Sequence, residues 1–176
     1  MDIKDLCERY NKGEKLNYVF FWGENYENGF LSNWLPCKFI VDNVEYWCTE
    51  QYMMAKKAEL FGDSEVQSEI MLSKNQKEIK DLGRKVHNFD SELWDKNKIK
   101  IVYEGNLAKF SQNESLKVKL LNTCDRILAE ASPYDKIWGI GRSVKDGEII
   151  KNPNNWVGQN LLGFTLMNVR EALKTL

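Results

Sequence analysis

The sequence predicts an α+β fold that is mainly helical, with a small antiparallel β-hairpin as its sheet element. Three observations carry this. Aromatic and alternating runs at 18–22 and 38–48 read as strands, apolar stripes at helical spacing dominate the chain after them, and 176 residues is the length of one domain, read here as 1–176. At that size about 70% of the unfolded chain's surface can be buried, enough for a true core.

Ile3, Leu6, Cys7 and Tyr10 recur at helical spacing and predict a short amphipathic helix over 2–12 that ends at Gly13. YVFFW (18–22) reads as a strand, followed by the polar, glycine-containing loop GENYENGFLSNWLP. KFIVDNVEYWC (38–48) reads as a β-hairpin with Asp42 and Asn43 at its turn. Thr49 is expected to cap a helix over about 50–60, Ser64 and Ser73 to start the next two segments, and Ser91 to precede the long helix ELWDKNKIKIVYEGNLAKF. Leu116, Leu120, Cys124, Ile127 and Leu128 form one helical apolar stripe in 115–129, and Leu161, Leu162, Thr165, Leu166, Val169 and Leu173 form another; both are read as core. Between them lies ASPYDKIWGIGRSVKDGEIIKNPNNWVGQN, a long irregular segment of the kind that is often functional in compact domains.

Lys plus Arg (25) nearly balance Asp plus Glu (26), so the whole chain lacks the basic footprint of a protein that grips nucleic acid by its phosphates. Cys7, Cys37, Cys48 and Cys124 are widely spaced without a CxxC pair, and His87 is the single histidine, too few soft ligands for an ordinary zinc site. These cysteines are expected to be reduced, mostly buried thiols. The first residues, MDIKDLCERY, contain no continuous apolar stretch, which predicts a soluble, cytoplasmic protein without signal peptide or membrane span. GxSxG, the P-loop pattern and HExxH are all missing, against serine hydrolase, P-loop NTPase and zincin readings.

Four stretches hold candidate chemistry. In TEQYMMAKKA (49–58), Glu50 opens a helix whose dipole favours an ionised carboxylate, and Lys57, seven residues on, returns to nearly the same angle. The pair reads either as a first-turn acid with a solvated lysine or as reagents on one face. In FDSELWDKNK (89–98), Trp94 reads as a stacking platform for a flat heterocycle or as a core residue. In SPYDKIWGIGR (132–142), Asp135 stands three residues after Ser132 with Pro133 between, the pattern of a capping box, which would by itself account for the carboxylate. The WGIG turn and Arg142 after it form a weak signal for phosphate binding. His87 reads as structural or surface rather than as a base.

FWG (21–23), GFLSNW (29–34), TEQYMMAKKA (49–58), GRKV with FDSELWDKNK (83–98), ASPYDKIWGIG (131–141) and NLLGFTLMNVREAL (160–173) together resemble the NADAR family, also called YbiA-like, in the family's order. The resemblance covers nearly the whole chain beyond about residue 17 and leaves roughly residues 1–15 as an N-terminal helical extension. It implies an N-glycosidase, since members of the family cleave phosphoribosyl intermediates of riboflavin synthesis or remove ADP-ribose from guanine bases. It implies no metal and no redox cofactor. The partner it implies is a small ribosyl or ADP-ribosyl compound, or ADP-ribosylated nucleic acid; oligomeric state is not legible.

Carried over by residue, the family's catalytic glutamate falls on Glu50, its lysine on Lys57, its tryptophan on Trp94 and its SPxDxxWG aspartate on Asp135. Phe21, Trp22, Gly23, Ser32, Asn33, Arg84, Lys98, Trp138, Gly139, Gly141 and Arg142 are the substrate-binding set. The family's usual helix resembles EHYFQAQKF, so Gln51 stands for its histidine, and Met53 and Met54 for a bulky aromatic and a glutamine. Cleavage of a ribosyl C–N bond passes through a cation-like sugar that an ionised carboxylate stabilises, while the departing heterocycle needs a proton and a flat surface. Lys57 is a substrate-binding or proton-managing group first and an imine-forming amine second, because Glu50 would oppose the lowered pKa that an imine requires. The competing class is a binding module for ADP-ribose or a related nucleotide; a third reading is an antagonist of an ADP-ribosylating toxin or NAD-based signal.

Overall fold

The computed structural model describes residues 1–175. In chain order it contains α1 (Ile3–Asn11), β1 (Tyr18–Phe21), β2 (Phe39–Val41), β3 (Val44–Tyr46), α2 (Thr49–Leu60), α3 (Ser64–Leu72), α4 (Gln76–Arg84), α5 (Ser91–Gln112), α6 (Glu114–Leu121), β4 (Ile127–Glu130) and α7 (Leu161–Leu173). The mainly helical α+β class is therefore observed. The chain forms two compact units, Met1–Ser32 with the chain from Val118 on, and Asn33–Lys117. Among the described residues no helix is long and apolar enough to cross a membrane.

In the first unit β1 and β4 run parallel, with Tyr18 opposite Ile127 and Phe21 opposite Glu130. The expected helical stripe over 115–129 is corrected here: α6 stops at Leu121, Cys124 turns left-handed (φ 53°), and Ile127 and Leu128 belong to a strand. Leucine and isoleucine three to four residues apart fit a helix face, yet an apolar run this short also fits a buried strand, and pairing with β1 decides the outcome. Asn160 joins β4 to α7. It is fully buried, its Nδ2 donates to the Leu128 carbonyl (2.9 Å), and its Oδ1 accepts from the Glu130 N–H (3.0 Å).

In the second unit the hairpin forms as expected: β2 and β3 are antiparallel, and Asp42 (φ 52°) and Asn43 (φ 64°) both take the left-handed conformation of a type I′ turn. Helix α2 is the centre of this unit and packs against α3, α4 and α5. The helix starts are corrected by one or two residues. Cys48, Asp63, Asn75 and Asp90 occupy the N-cap positions, with Thr49, Ser64 and Ser91 inside their helices and Ser73 closing α3. At three of the four, an Asp or Asn side-chain oxygen accepts from the third helical N–H and prevails over the neighbouring serine.

The cysteines also differ from expectation: all four are unpaired, but only Cys48 is buried, Cys7 and Cys37 are half-buried and Cys124 is exposed. His87 lies at the surface, with its backbone N–H and ring Nδ1 both on Asp63 (2.8 and 2.9 Å).

Lys109 on α5 is 0% exposed, and burial pushes its ammonium down to about 8 from the ordinary 10.5. Folding therefore carries a cost that is fully present below the folded pKa and is relieved as pH rises to the unfolded value. The stability of the wild type relative to Lys109→Met is expected to rise between about pH 8 and 10.5, as read by urea unfolding of both proteins. A pH-independent difference would show that the amine keeps its ordinary pKa.

Candidate functional site

The start of α2 is organised by side chains on either side of it. A helix leaves its first N–H groups without intrahelical partners. Here the Glu50 N–H donates to the Asn33 carbonyl (2.9 Å). Gln51 reaches back so that its Oε1 accepts the Trp47 N–H (2.7 Å), while its Nε2 donates to the carbonyls of Ile70 (3.0 Å) and Ser73 (2.9 Å). Gln51, at the family's histidine position, is thus a buried structural tie between α2 and the end of α3. Glu50 is 4% exposed, a carboxylate held in the interior at the positive end of the helix.

Two turns along α2, Lys57 is half-buried. Its Nζ donates to the Gly83 carbonyl (2.7 Å) and stands 4.4 Å from the Phe89 ring centroid and 5.7 Å from that of Trp94. Burial lowers its pKa below the ordinary lysine value. The expected opposition from Glu50 does not outweigh desolvation. Gly83 makes the arrangement possible, because a Cβ there would lie 1.9 Å from the Met54 sulfur. The GRKV block therefore contributes its glycine; Arg84 itself is exposed and paired with Asp81 (3.2 Å). Trp94 and Lys98 both project from α5, and Lys98, 9% exposed, donates to Asp95 (2.6 Å). Phe89 and Gly83 are neighbours of Lys57 that sequence reasoning misses; the phenylalanine opens the same FDSELWDKNK block, but nothing local marks it as a neighbour of Lys57.

In the first unit, Phe21 is 1% exposed and packs in the core, whereas Trp22 is half-buried and stacks on Tyr26 (4.9 Å, 24°) with Tyr134 further out (6.5 Å). Gly23 turns left-handed (φ 61°) at the start of this aromatic group, and Ser32 is buried. The predicted capping box at Ser132 is corrected: no helix begins there, and Asp135 itself closes the turn, its Oδ1 accepting from the N–H groups of Ile137 (2.9 Å) and Trp138 (2.7 Å). The N–H groups of Ile140 and Gly141 are also committed, to the carbonyls of Glu130 and Asp135. Three of the four WGIG amides are thus donated within the protein, which removes the expected cradle for phosphate. Gly139 and Gly141 serve close packing, since a Cβ at Gly139 would meet the Glu130 carbonyl at 2.9 Å and one at Gly141 the Val157 side chain at 2.6 Å. Arg142 donates through Nε to the Asn155 carbonyl (3.0 Å).

Buried Glu50, an amine of lowered pKa and a half-buried tryptophan beside it are a set suited to stabilising a cationic centre and meeting a flat ring. Residues 20–174 match the NADAR domain. The chain belongs to the NADAR family. Among NADAR relatives, N-glycosidase R617 of Acanthamoeba polyphaga mimivirus is 47% identical over 162 residues, covering 88% of this chain and 95% of the relative. A protein of Vibrio vulnificus named as a riboflavin biosynthesis protein is 30% identical over 89% of this chain, which spans 38% of that longer relative. The solution structure of the E. coli protein YbiA superposes with a TM-score of 0.74 at 26% identity, covering 90% of this chain and 86% of YbiA.

Proposed function

We propose that this protein is an N-glycosyl hydrolase that cleaves the ribosyl C–N bond of a phosphoribosyl or ADP-ribosyl compound. The reading is carried by the near full-length similarity to a relative named N-glycosidase, and the placement of Glu50, Lys57 and Trp94 supports it. In this reading the chain works as one NADAR domain, residues 1–15 being an extension to it. Glu50 stabilises the cation-like sugar and orients water. Asp135, by resemblance, is the second carboxylate; with Oδ1 taken by two backbone donors, Oδ2 is its reactive oxygen. Trp94 offers its face to the departing heterocycle, and Trp22 and Asn33 belong to the binding set. Similarity to a riboflavin biosynthesis protein favours a ribosylamino-pyrimidine phosphate as substrate, with ADP-ribosylated guanine as the second candidate.

The lowered pKa of Lys57 favours a second reading of that residue, as an amine that adds to C1 of the ring-opened substrate and expels the heterocycle's nitrogen as a free amine, leaving a sugar imine on Lys57 that water hydrolyses to the ring-opened aldehyde and free lysine. Borohydride added during turnover is then expected to fix a ribosyl adduct on Lys57, located by peptide mass spectrometry, and Lys57→Arg to abolish it. Turnover without any adduct would leave Lys57 as a binding or proton-managing group.

Hydrolysis itself is tested by incubating the purified protein, in chelator, with the ribosylamino-pyrimidine phosphate of riboflavin synthesis, guanine-ADP-ribosylated DNA, NAD and ADP-ribose. Release of a free base and its ribosyl partner is the expected result. ADP-ribose binding without cleavage of any substrate would instead make the chain a binding module.

A further inference from the structure

We propose that Trp22, Tyr26 and Tyr134 form a stacking site for the purine base of a nucleotide, with Tyr134 as the ring that closes over it. Such a site deepens the glycosidase reading, and rests on it only in making the nucleotide a part of the substrate. Strands β1 and β4 run parallel, so their carboxyl ends, Phe21 and Glu130, lie at one edge of the pair. The Ala131 N–H donates to the Phe21 carbonyl (2.8 Å) and carries the pairing one residue further. Trp22 and Gly23 leave this edge on one strand, and Ser132, Tyr134 and the candidate carboxylate Asp135 on the other. Ligands bind parallel α/β sheets outside this end of the strands.

The Trp22 and Tyr26 rings stack at 4.9 Å and 24° to make a platform. Gly23 permits the approach, since a Cβ there would lie 3.2 Å from the Tyr26 ring. The loop that carries Tyr26 is tied down by the Gly29 N–H on the Tyr26 carbonyl (2.9 Å) and by the Asn28 Nδ2 on the Phe20 carbonyl (3.0 Å). Tyr134 stands on the turn that Asp135 closes, with its ring centroid 6.5 Å from that of Trp22 and the planes inclined by 52°. A flat ring in contact with an aromatic face on each side needs roughly 7 Å between those faces, twice a carbon–carbon contact. The gap at Tyr134 falls just short of that spacing, and a small rotation of this outward side chain supplies it.

Stability does not account for these rings. Tyr134 is 87% exposed and Tyr26 61%, so neither buries much apolar area. Aromatic faces open to solvent are surfaces on which a nucleobase stacks, and none of the three side chains offers a cation, so they suit the base rather than the phosphate. A purine, with two fused rings like the Trp22 indole, covers that face more fully than a pyrimidine does. Of the two candidate substrate classes, an ADP-ribosyl compound carries such a base on its adenosine, and a ribosylamino-pyrimidine phosphate does not.

The test follows the Trp22 indole N–H in 15N-labelled protein, assigned by its loss in Trp22→Phe. Adenosine monophosphate and ADP-ribose are each expected to shift this signal, and ribose 5-phosphate to leave it in place. Tyr134→Ala is expected to weaken adenosine monophosphate binding about tenfold with the unfolding midpoint held, whereas Tyr134→Phe, which keeps the ring, binds as the wild type does. A single-stranded deoxyadenosine oligonucleotide separates the sources of the base: much tighter binding than adenosine monophosphate assigns it to nucleic acid, and equal binding to the adenosine of an ADP-ribosyl group. A Trp22 signal that adenosine monophosphate does not move, an equal response to ribose 5-phosphate, or a Tyr134→Ala protein that binds as tightly as the wild type would overturn the proposal. A wild type that binds the nucleotide at Trp22 but hydrolyses nothing sinks the glycosidase reading alone.

Discussion

Glu50→Gln is expected to lower hydrolysis by about a hundredfold to a thousandfold or more while leaving the fold intact. The substitution removes the charge at nearly constant shape, and the bond from the residue 50 N–H to the Asn33 carbonyl is untouched because it uses only backbone atoms. A carboxylate that is 4% exposed faces little competing water, so its field acts on a cationic sugar at close to full strength. The neutral amide accepts a hydrogen bond but cannot supply that field. Steady-state release of the free base, beside the unfolding midpoint, separates lost chemistry from lost structure. A well-folded Glu50→Gln protein with wild-type turnover would remove Glu50 from the catalytic set.

The largest expected effect on stability is at Gly163. In a helix interior alanine is preferred to glycine by about 1 kcal/mol, so propensity alone predicts that Gly163→Ala stabilises α7. The close approach of α7 to β4 reverses the sign: a Cβ at residue 163 would lie 2.1 Å from the Leu128 carbonyl oxygen and 2.6 Å from the Asn160 side-chain amide. Neither contact is with the free end of a flexible side chain, since Leu128 is in the β1–β4 ladder and Asn160 is clamped at both of its amide atoms. The net loss is expected to be about 3 kcal/mol, in the upper range for overpacking. For a chain of this size that corresponds to a fall in melting temperature of roughly 6–12 °C, measurable by calorimetry. A rise in melting temperature would mean that helix and strand separate at little cost.

Local chemistry made some features readable from the sequence. The Asp42–Asn43 turn needs left-handed conformations that these two residues tolerate, and the α7 stripe repeats at helical spacing, so both are set by neighbours a few residues apart. Six spaced blocks identified the family, and with it Glu50, Lys57, Trp94 and Asp135 as the candidate reactive residues. Cap positions were readable to within a residue or two, because serine, aspartate and asparagine compete for the same N–H groups and only the folded backbone decides among them.

The remainder depended on partners distant in the chain. Whether Ile127 and Leu128 continue a helix or enter a strand is decided by β1, more than a hundred positions away. The WGIG segment has the composition of an anion-binding turn, but Glu130 and Asp135 consume its N–H groups, and composition cannot show which donors are already occupied. Lys57 acquires its environment from Gly83 and Phe89. The sequence by itself determined the helical class, the hairpin, the family and which residues are candidates for the chemistry, because these depend on local backbone preference and on side-chain identity. Only the tertiary structure decided the β1–β4 pairing, the desolvation of Lys57 and which polar groups remain available, because burial and hydrogen-bond commitment are set by whatever the fold brings within a few ångströms.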